Sequence, residues 1–432
     1  MKLLSNEKVI DIMSNTLNHV DGRLIDHGER VAYLMYKVLK PQGIFTNEKL
    51  RDICVLAMLH DVGAYKTEEI DNMVIFETTD VWEHSIYGSL FLKYFSPLKE
   101  LSPVVLFHHA ECDELEHLIG EEMQMLANLV SLCDRADVFA VHGGKNEDFL
   151  MYLLKFRNIK YLNENVNMYL SADINIETVF DEMKTDETFN NIFHKTPLTE
   201  KEATDYINMI IYSIDFRSNQ TVIHTLSTVC IAEYLARKLE LDEDTIVKVK
   251  TGALLHDIGK VGIPLHILES NERLSDEDMN IMRTHVNFTE EIIKGNVEEE
   301  IERIAVNHHE KTNGEGYPNR IDGQTITTSD RIVAIADIFS ALCRERSYKD
   351  EFPKEKVICI LDAMAEQSLI DPKIVSIATA NFDEIVKNIK TQAEPVIKAY
   401  ENMNSEYQTI KKELLAKFNP EQPEPETVVL SW

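Results

Sequence analysis

Apolar residues recur at three- and four-residue steps along most of this chain. The stretches AEYLARKLEL (232–241), EEEIERIAVNHH (298–309) and IVAIADIFSAL (332–342) each place one apolar stripe on a helix. Runs that alternate as a strand would are few. The pattern predicts an all-α protein built from bundles of five or more helices. After residue 383 the pattern EIVKNIKTQAEPVIKAYENMNSEYQTIKKELLAKF reads as one or two amphipathic helices interrupted near Pro395. The final NPEQPEPETVVLSW is rich in Pro and Glu and is expected to be a disordered tail.

The chain also repeats itself. LRDICVLAMLHDVGAYK (50–66) and VKTGALLHDIGKVG (249–262) are apolar helical runs ending in a His-Asp pair. Each is preceded by a histidine (His27; His224). Each is followed by an isolated histidine (His84; His285), a His-His pair (His108 and His109; His308 and His309) and an aspartate closing an apolar stretch (Asp134; Asp337). The offset between equivalent positions stays between 196 and 203 residues. Two tandem domains from an internal duplication are therefore expected. The first spans 1–144 and a helical connector 145–199. The second spans 200–390, and 391–432 forms a C-terminal helix and tail.

Composition narrows the class. With 44% apolar and 27% charged residues, each domain can bury a full core. No stretch of 18 apolar residues is present and the first residues turn polar at once, so neither a membrane span nor a secretory signal is expected. The six cysteines are scattered without a CxxC pair, which suits reduced thiols in the cytoplasm. The net charge of −30 argues against a DNA or RNA polymer as partner, because phosphate backbones are held by clustered Lys and Arg. A small anion remains compatible, since local cations can set the field inside a cleft.

Ten of the fifteen histidines belong to the two repeated sets. One histidine alone is most simply a satisfied core or surface residue, and His19, His117, His142, His194 and His266 are read so. Five histidines and two aspartates recurring in one order are better explained by metal ligation. Imidazole and carboxylate suit first-row divalent metals such as Fe or Mn. Adjacent His and Asp at a helix end project in different directions, so one aspartate can bridge two ions with its two oxygens. On this reading His224, His256 and Asp337 hold one ion, His285, His308 and His309 the other, and Asp257 both. Two ions ~3.5–4 Å apart generate a bridging hydroxide at neutral pH and clamp a phosphoryl group for in-line attack.

The order His…His-Asp…His…His-His…Asp resembles the HD phosphohydrolase superfamily. HDIGKVGIP (256–264), HHEKTNGEGYP (308–318) and ADIFSALCRERSYK (336–349) are similar to the HD-GYP family over about 170 residues. The resemblance implies a phosphodiesterase that hydrolyses a cyclic dinucleotide, cyclic di-GMP or cyclic GMP-AMP, to linear dinucleotide or mononucleotides. It makes the seven residues above the metal ligands, with Asp257 and Lys260 catalytic. Lys260, Gly314, Gly316, Tyr317, Pro318, Arg346 and Lys349 would touch the substrate, and Glu310 would orient a ligand histidine. Gln220 stands where some members carry a glutamate for a third ion, so two ions are expected. Asn313 replaces the usual aspartate of the GYP block, and Lys349 the last arginine of RPYR.

The N-terminal set His27, His60, Asp61, His84, His108, His109 and Asp134 is complete, so a second metal site is compatible there. Ala64 stands in place of Lys260, and no GYP follows His109. A regulatory or dimerising module fits that better than a second hydrolase, and the whole chain is compatible with a homodimer. Two rivals remain: an HD hydrolase of another nucleotide such as a dNTP or (p)ppGpp, and a catalytically silent nucleotide-sensing adaptor.

Overall fold

The computed structural model describes residues 6–20, 25–64, 82–115, 118–216, 223–270, 272–344 and 354–418. Among them every regular element is helical, as the apolar periodicity predicts, and no helix is long and apolar enough to cross a membrane. The chain divides into two compact units. One comprises residues 2–210 with 403–414, the other residue 1 with 211–402 and 415–432.

In the first unit the helices α1 (His27–Leu39), α2 (Asn47–Met58), α3 (Trp82–Phe95), α4 (Ser102–Leu106) and α5 (Glu121–Val141) carry the repeated residues. Helix α2 starts where Thr46 accepts the Lys49 N–H, a side-chain cap for an orphan donor. Its Ile53, Leu56 and Ala57 are buried, as are Val31, Leu34, Met35 and Val38 of α1. Residues 145–199 hold four short helices joined by turns, and they pack back onto α1, where the Tyr33 and Phe189 rings meet edge to face at 5.0 Å.

In the second unit the corresponding helices are α6 (His224–Lys238), α7 (Glu243–Leu255), α8 (His285–Ile293), α9 (Glu299–Val306) and α10 (Thr328–Arg344). Asp242 caps α7 by accepting the Thr245 N–H, and Glu243 and Asp244 in its first turn favour the positive end of the helix dipole. Ile231 and Leu235 of α6, Val249 of α7 and Ile335 and Phe339 of α10 form one core with Leu361, Ile374 and Phe382. Each fully buried aliphatic side chain contributes about 1.5–3 kcal/mol. Gly252 lets α7 and α9 meet closely, since a Cβ there would lie 2.4 Å from Ile304 Cγ2.

The last helix, α11 (Phe382–Phe418), runs unbroken through Pro395, where the periodicity had suggested an interruption. Proline removes one hydrogen bond from a helix interior. Here the flanking turns keep buried anchors, Ala393 and Tyr400, that hold the helix on course.

Candidate metal centre

The second unit places its repeated residues at helix ends. His224 opens α6, His256 follows α7, and Asp257 starts the tight turn Ile258–Gly262. His285 opens α8, His308 and His309 lie in the turn Asn307–His309 after α9, and Asp337 lies within α10. Helix ends leave carbonyls without intrahelical partners, and three of the histidines use them. The Nδ1 atoms of His256, His285 and His308 donate to the carbonyls of Ala253, Met282 and Ala305 at 2.7, 2.6 and 2.6 Å. His224 Nδ1 instead donates to Ser340 Oγ at 3.0 Å, and that hydroxyl donates to the His224 carbonyl.

A carbonyl can only accept, so Nδ1 carries a proton, and Nε2 is left facing inward to bind a proton or a cation. These Nε2 atoms converge on Asp257. Its Oδ2 lies 3.3 Å from His224 Nε2 and 3.1 Å from His256 Nε2, while its Oδ1 lies 3.5 Å from His285 Nε2 and 3.9 Å from His308 Nε2. Asp337 Oδ1 is 3.1 Å from His224 Nε2, and its Oδ2 is 3.7 Å from His309 Nδ1. The donors fall into two groups, His224, His256 and Asp257 on one side and His285, His308 and His309 on the other, each with donor atoms within 4.8 Å of one another.

The residues fit metal ions on their own geometry. His256 Nε2 is fully buried with no hydrogen bond. His285 and His308 bring Nε2 atoms within 3.3 Å of each other. Burial pulls the His285 pKa down to about 4 and that of His308 well below its ordinary value, so both are neutral at pH 7 and face each other as lone pairs. A cation between them turns that repulsion into attraction. On the other side burial opposes charge on His256, yet Asp257 and Asp337 push it up to about 10. Burial alone would raise Asp257, but His256, Lys260 and His224 hold it well below the usual carboxylate range.

Gly259 makes the turn possible. A Cβ there would sit 2.0 Å from the His285 carbonyl oxygen and 2.4 Å from the Thr289 nitrogen. Thr289 closes the joint, accepting from the Gly259 N–H and donating to the His256 carbonyl. One residue on, Lys260 Nζ lies 2.5 Å from Asp257 Oδ2.

The GYP loop stands against the same cluster. The Tyr317 ring lies 4.5 Å from the His309 ring, and the Arg283 guanidinium lies 5.4 Å from the Tyr317 ring centre. Gly314 has φ +76°, and a Cβ on Gly316 would meet Glu310 Cα at 2.5 Å. Glu310 does not orient a histidine, contrary to expectation. Its buried carboxylate accepts the N–H groups of Asn319 and Ile321 and so ties down the loop beyond Pro318. His256, His285 and His308 need no such carboxylate because helix carbonyls already hold them. Gln220, Arg346 and Lys349 lie outside the described residues.

Two residues near the cluster had no signal in the spacing. Arg283 is exposed at the end of the helix before His285, and nothing in the pattern separates it from an ordinary surface arginine. Asp215 is buried, accepts a hydrogen bond from Thr225 and feels His224, Asp257 and Lys260; burial pushes its pKa up to about 6. Its only trace in the sequence is a carboxylate ending an apolar helix nine residues before His224.

In the first unit the other seven residues assemble likewise. His60 and His108 donate Nδ1–H to Ala57 and Val105 at 2.7 Å each. Asp61 Oδ2 faces His60 at 3.1 Å and His27 at 3.6 Å, and its Oδ1 faces His108 at 3.7 Å and His84 at 3.9 Å. Asp134 lies 3.6 Å from His27 Nε2, and His109 Nε2 lies 2.9 Å from His84 Nε2. Gly63 repeats the role of Gly259, 2.0 Å from the His84 carbonyl by the same measure. Ala64 is fully buried.

Each unit thus gathers His and Asp donors in an arrangement that could hold metal ions. The family model described as "HD domain" matches residues 195–374. The chain is 24% identical over 405 residues to the 3′3′-cGAMP-specific phosphodiesterase 1 of Vibrio cholerae, covering 87% of this chain and 90% of that protein. It is 35% identical over 202 residues to the 3′3′-cGAMP-specific phosphodiesterase 2 of the same organism. To the cyclic di-GMP phosphodiesterase response regulator RpfG of Xanthomonas campestris it is 31% identical over 179 residues. The chain spans 38% and 47% of the last two proteins. Among solved structures, a cyclic GMP-AMP-specific phosphodiesterase of V. cholerae superposes with a TM-score of 0.55 at 18% identity, covering 88% of this chain and 98% of that one. That likeness is one of fold.

Proposed function

We propose that the second unit is a metal-dependent phosphodiesterase that opens a cyclic dinucleotide, 3′3′-cyclic GMP-AMP or cyclic di-GMP, to a linear dinucleotide or mononucleotides. The observation that carries this reading is Asp257, with one carboxylate oxygen toward His224 and His256, the other toward His285 and His308, and Lys260 beside it. The relatives named above, all phosphodiesterases of cyclic dinucleotides, support the substrate class.

On this reading His224, His256 and Asp337 hold one divalent ion, His285, His308 and His309 the second, and Asp257 both. Such a pair supplies Lewis acidity and a nucleophile at neutral pH. The chain does the rest. Lys260 leaves its contact with Asp257 when a phosphate enters and holds a non-bridging oxygen as charge develops. Tyr317, placed between His309 and Arg283, offers a face on which a base or ribose rests. Glu310 keeps that ring in place through the loop it binds. Arg346 and Lys349 supply charge for the second phosphate.

The purified chain, loaded with Mn²⁺ or Fe²⁺, is offered 3′3′-cyclic GMP-AMP, cyclic di-GMP, a dNTP and (p)ppGpp. Turnover of a cyclic dinucleotide, abolished by Asp257→Ala, is expected. Turnover of the mononucleotides alone would overturn the assignment.

A further inference from the structure

The two clusters differ at positions that no spacing argument singles out. In the first unit His27 Nδ1 donates to Asp137 Oδ2 at 2.8 Å. Arg30 grips that carboxylate with both edges of its fork, Nε to Oδ1 at 2.5 Å and Nη2 to Oδ2 at 3.1 Å, while Nη1 donates to the Ile25 carbonyl at 2.7 Å. The Asp137 side chain is 3% exposed. The residues at the same offsets in the second unit are Ser340, three after Asp337, and Ser227, three after His224. There His224 Nδ1 leans on the Ser340 hydroxyl, and Ser227 turns back to its own helix, donating to Ile223.

The second difference is one of charge beside the bridging carboxylate. Lys260 Nζ stands 2.5 Å from Asp257 Oδ2, where it competes with any cation for that oxygen. The buried methyl of Ala64 holds the equivalent place next to Asp61. Among the described residues no lysine is paired with Asp61 or Asp134, and Arg30 is already matched by Asp137. The inward Nε2 atoms of His60 and His108 are buried, fixed by their carbonyl bonds and without hydrogen bonds of their own. A buried imidazole lone pair aimed at a carboxylate oxygen repels it unless a proton or a metal cation lies between them.

We propose that His27, His60, Asp61, His84, His108, His109 and Asp134 form a second site for first-row divalent cations, and that this site holds its metal more tightly than the Asp257 site because Asp137, pinned by Arg30, orients His27. A carboxylate bonded to the far nitrogen of a ligand histidine raises its basicity and fixes its ring, and such a partner is worth 10–100-fold in metal affinity. The hydroxyl of Ser340 does this weakly. The first unit thus keeps its metal as a standing part of its fold, whereas the second exchanges it.

The test reads metal content and needs no substrate, so its outcome is separate from that of the phosphodiesterase assay. Full-length protein loaded with Mn²⁺ is dialysed against graded EDTA, and the ions retained per chain are counted by plasma mass spectrometry. Two classes are expected. The tighter is lost in Asp61→Ala and kept in Asp257→Ala. Asp137→Asn, which preserves shape, weakens the tight class about 10–100-fold and leaves the weak class alone. Arg30→Lys, which loosens the grip on Asp137, weakens it less. Should Asp137→Asn lose its helical circular dichroism, Arg30→Lys and His60→Gln decide by the same count. A tight class that survives Asp61→Ala, or that disappears with Asp257→Ala, overturns the proposal. So does a folded Asp137→Asn or Arg30→Lys that retains metal as the wild type does.

Discussion

Two groups of seven side chains in this chain share one plan and differ in what surrounds it. In both, a His-Asp pair ends a helix, a glycine two residues after the aspartate admits the next histidine helix, and carbonyls three residues back fix the rings. In both, one aspartate divides its oxygens between two groups of imidazoles. What differs is the neighbour of that aspartate, Lys260 or Ala64, and the support behind the first histidine, Ser340 or Asp137 with Arg30. Ligands make a metal site. The charge placed around them decides whether it can also take hold of a phosphate.

The largest expected contrast is between Asp257→Ala and Asp61→Ala. Loss of an outer partner of a metal ligand costs 10–100-fold, so removing the shared carboxylate itself should cost at least about 10³-fold in cyclic-dinucleotide turnover. Asp61→Ala should leave turnover of the same order, both measured by chromatography of the products. Lys260→Ala comes next. Loss of one preorganised group that stabilises developing charge lowers kcat about 10²–10³-fold, and here metal content should be unchanged or higher, since the competing ammonium is gone.

A smaller effect attaches to the glycines. Gly259→Ala and Gly63→Ala each force a Cβ to within 2.0 Å of a carbonyl oxygen, and the backbone must give way. A cost of about 1–3 kcal/mol is expected for each, read from denaturant unfolding of the metal-free protein. Equal costs would sharpen the comparison. A neutral Gly63→Ala would break it.

The smallest effect is a pH dependence within the second cluster. In the metal-free protein His256 is raised to about 10, so from pH 7 to 9 a cation on that side must displace a proton. Its apparent affinity should rise with pH up to about 10. His285 and His309, lowered to about 4 and about 3, are already unprotonated, so the affinity of their side should be flat from pH 6 to 9. Calorimetry in buffers of different ionisation enthalpy measures the protons released. The same shift bears on stability. A histidine whose pKa is raised on folding stabilises the metal-free protein fully below pH 6.5, and that contribution is lost as pH rises toward 10.

The all-helical fold was legible because amphipathic stripes such as IVAIADIFSAL announce helices directly, and a repeated order of His and Asp survives any change in loop length. The convergence of the histidines and of Asp61 and Asp257 follows from the same signal, since each lies at or near the end of a helix, while Asp134 and Asp337 lie within one. Asp137 and Arg30 were not legible. Each is one charge on an amphipathic helix, and only packing α1 against α5 makes them a pair. Glu310 was misread for a related reason. Its neighbour His309 suggested a role toward a ligand, but its carboxylate turns to the backbone of a loop nine and eleven residues on. Pro395 misled because local propensity speaks against a helix that buried neighbours sustain.

The most direct test of the central claim is the anomalous scattering of crystals grown with Mn²⁺, examined at Asp257. Two peaks about 3.5–4 Å apart, one facing each carboxylate oxygen, are the expected result. A single peak away from Asp257, or none in a protein that still hydrolyses a cyclic dinucleotide, would contradict the account.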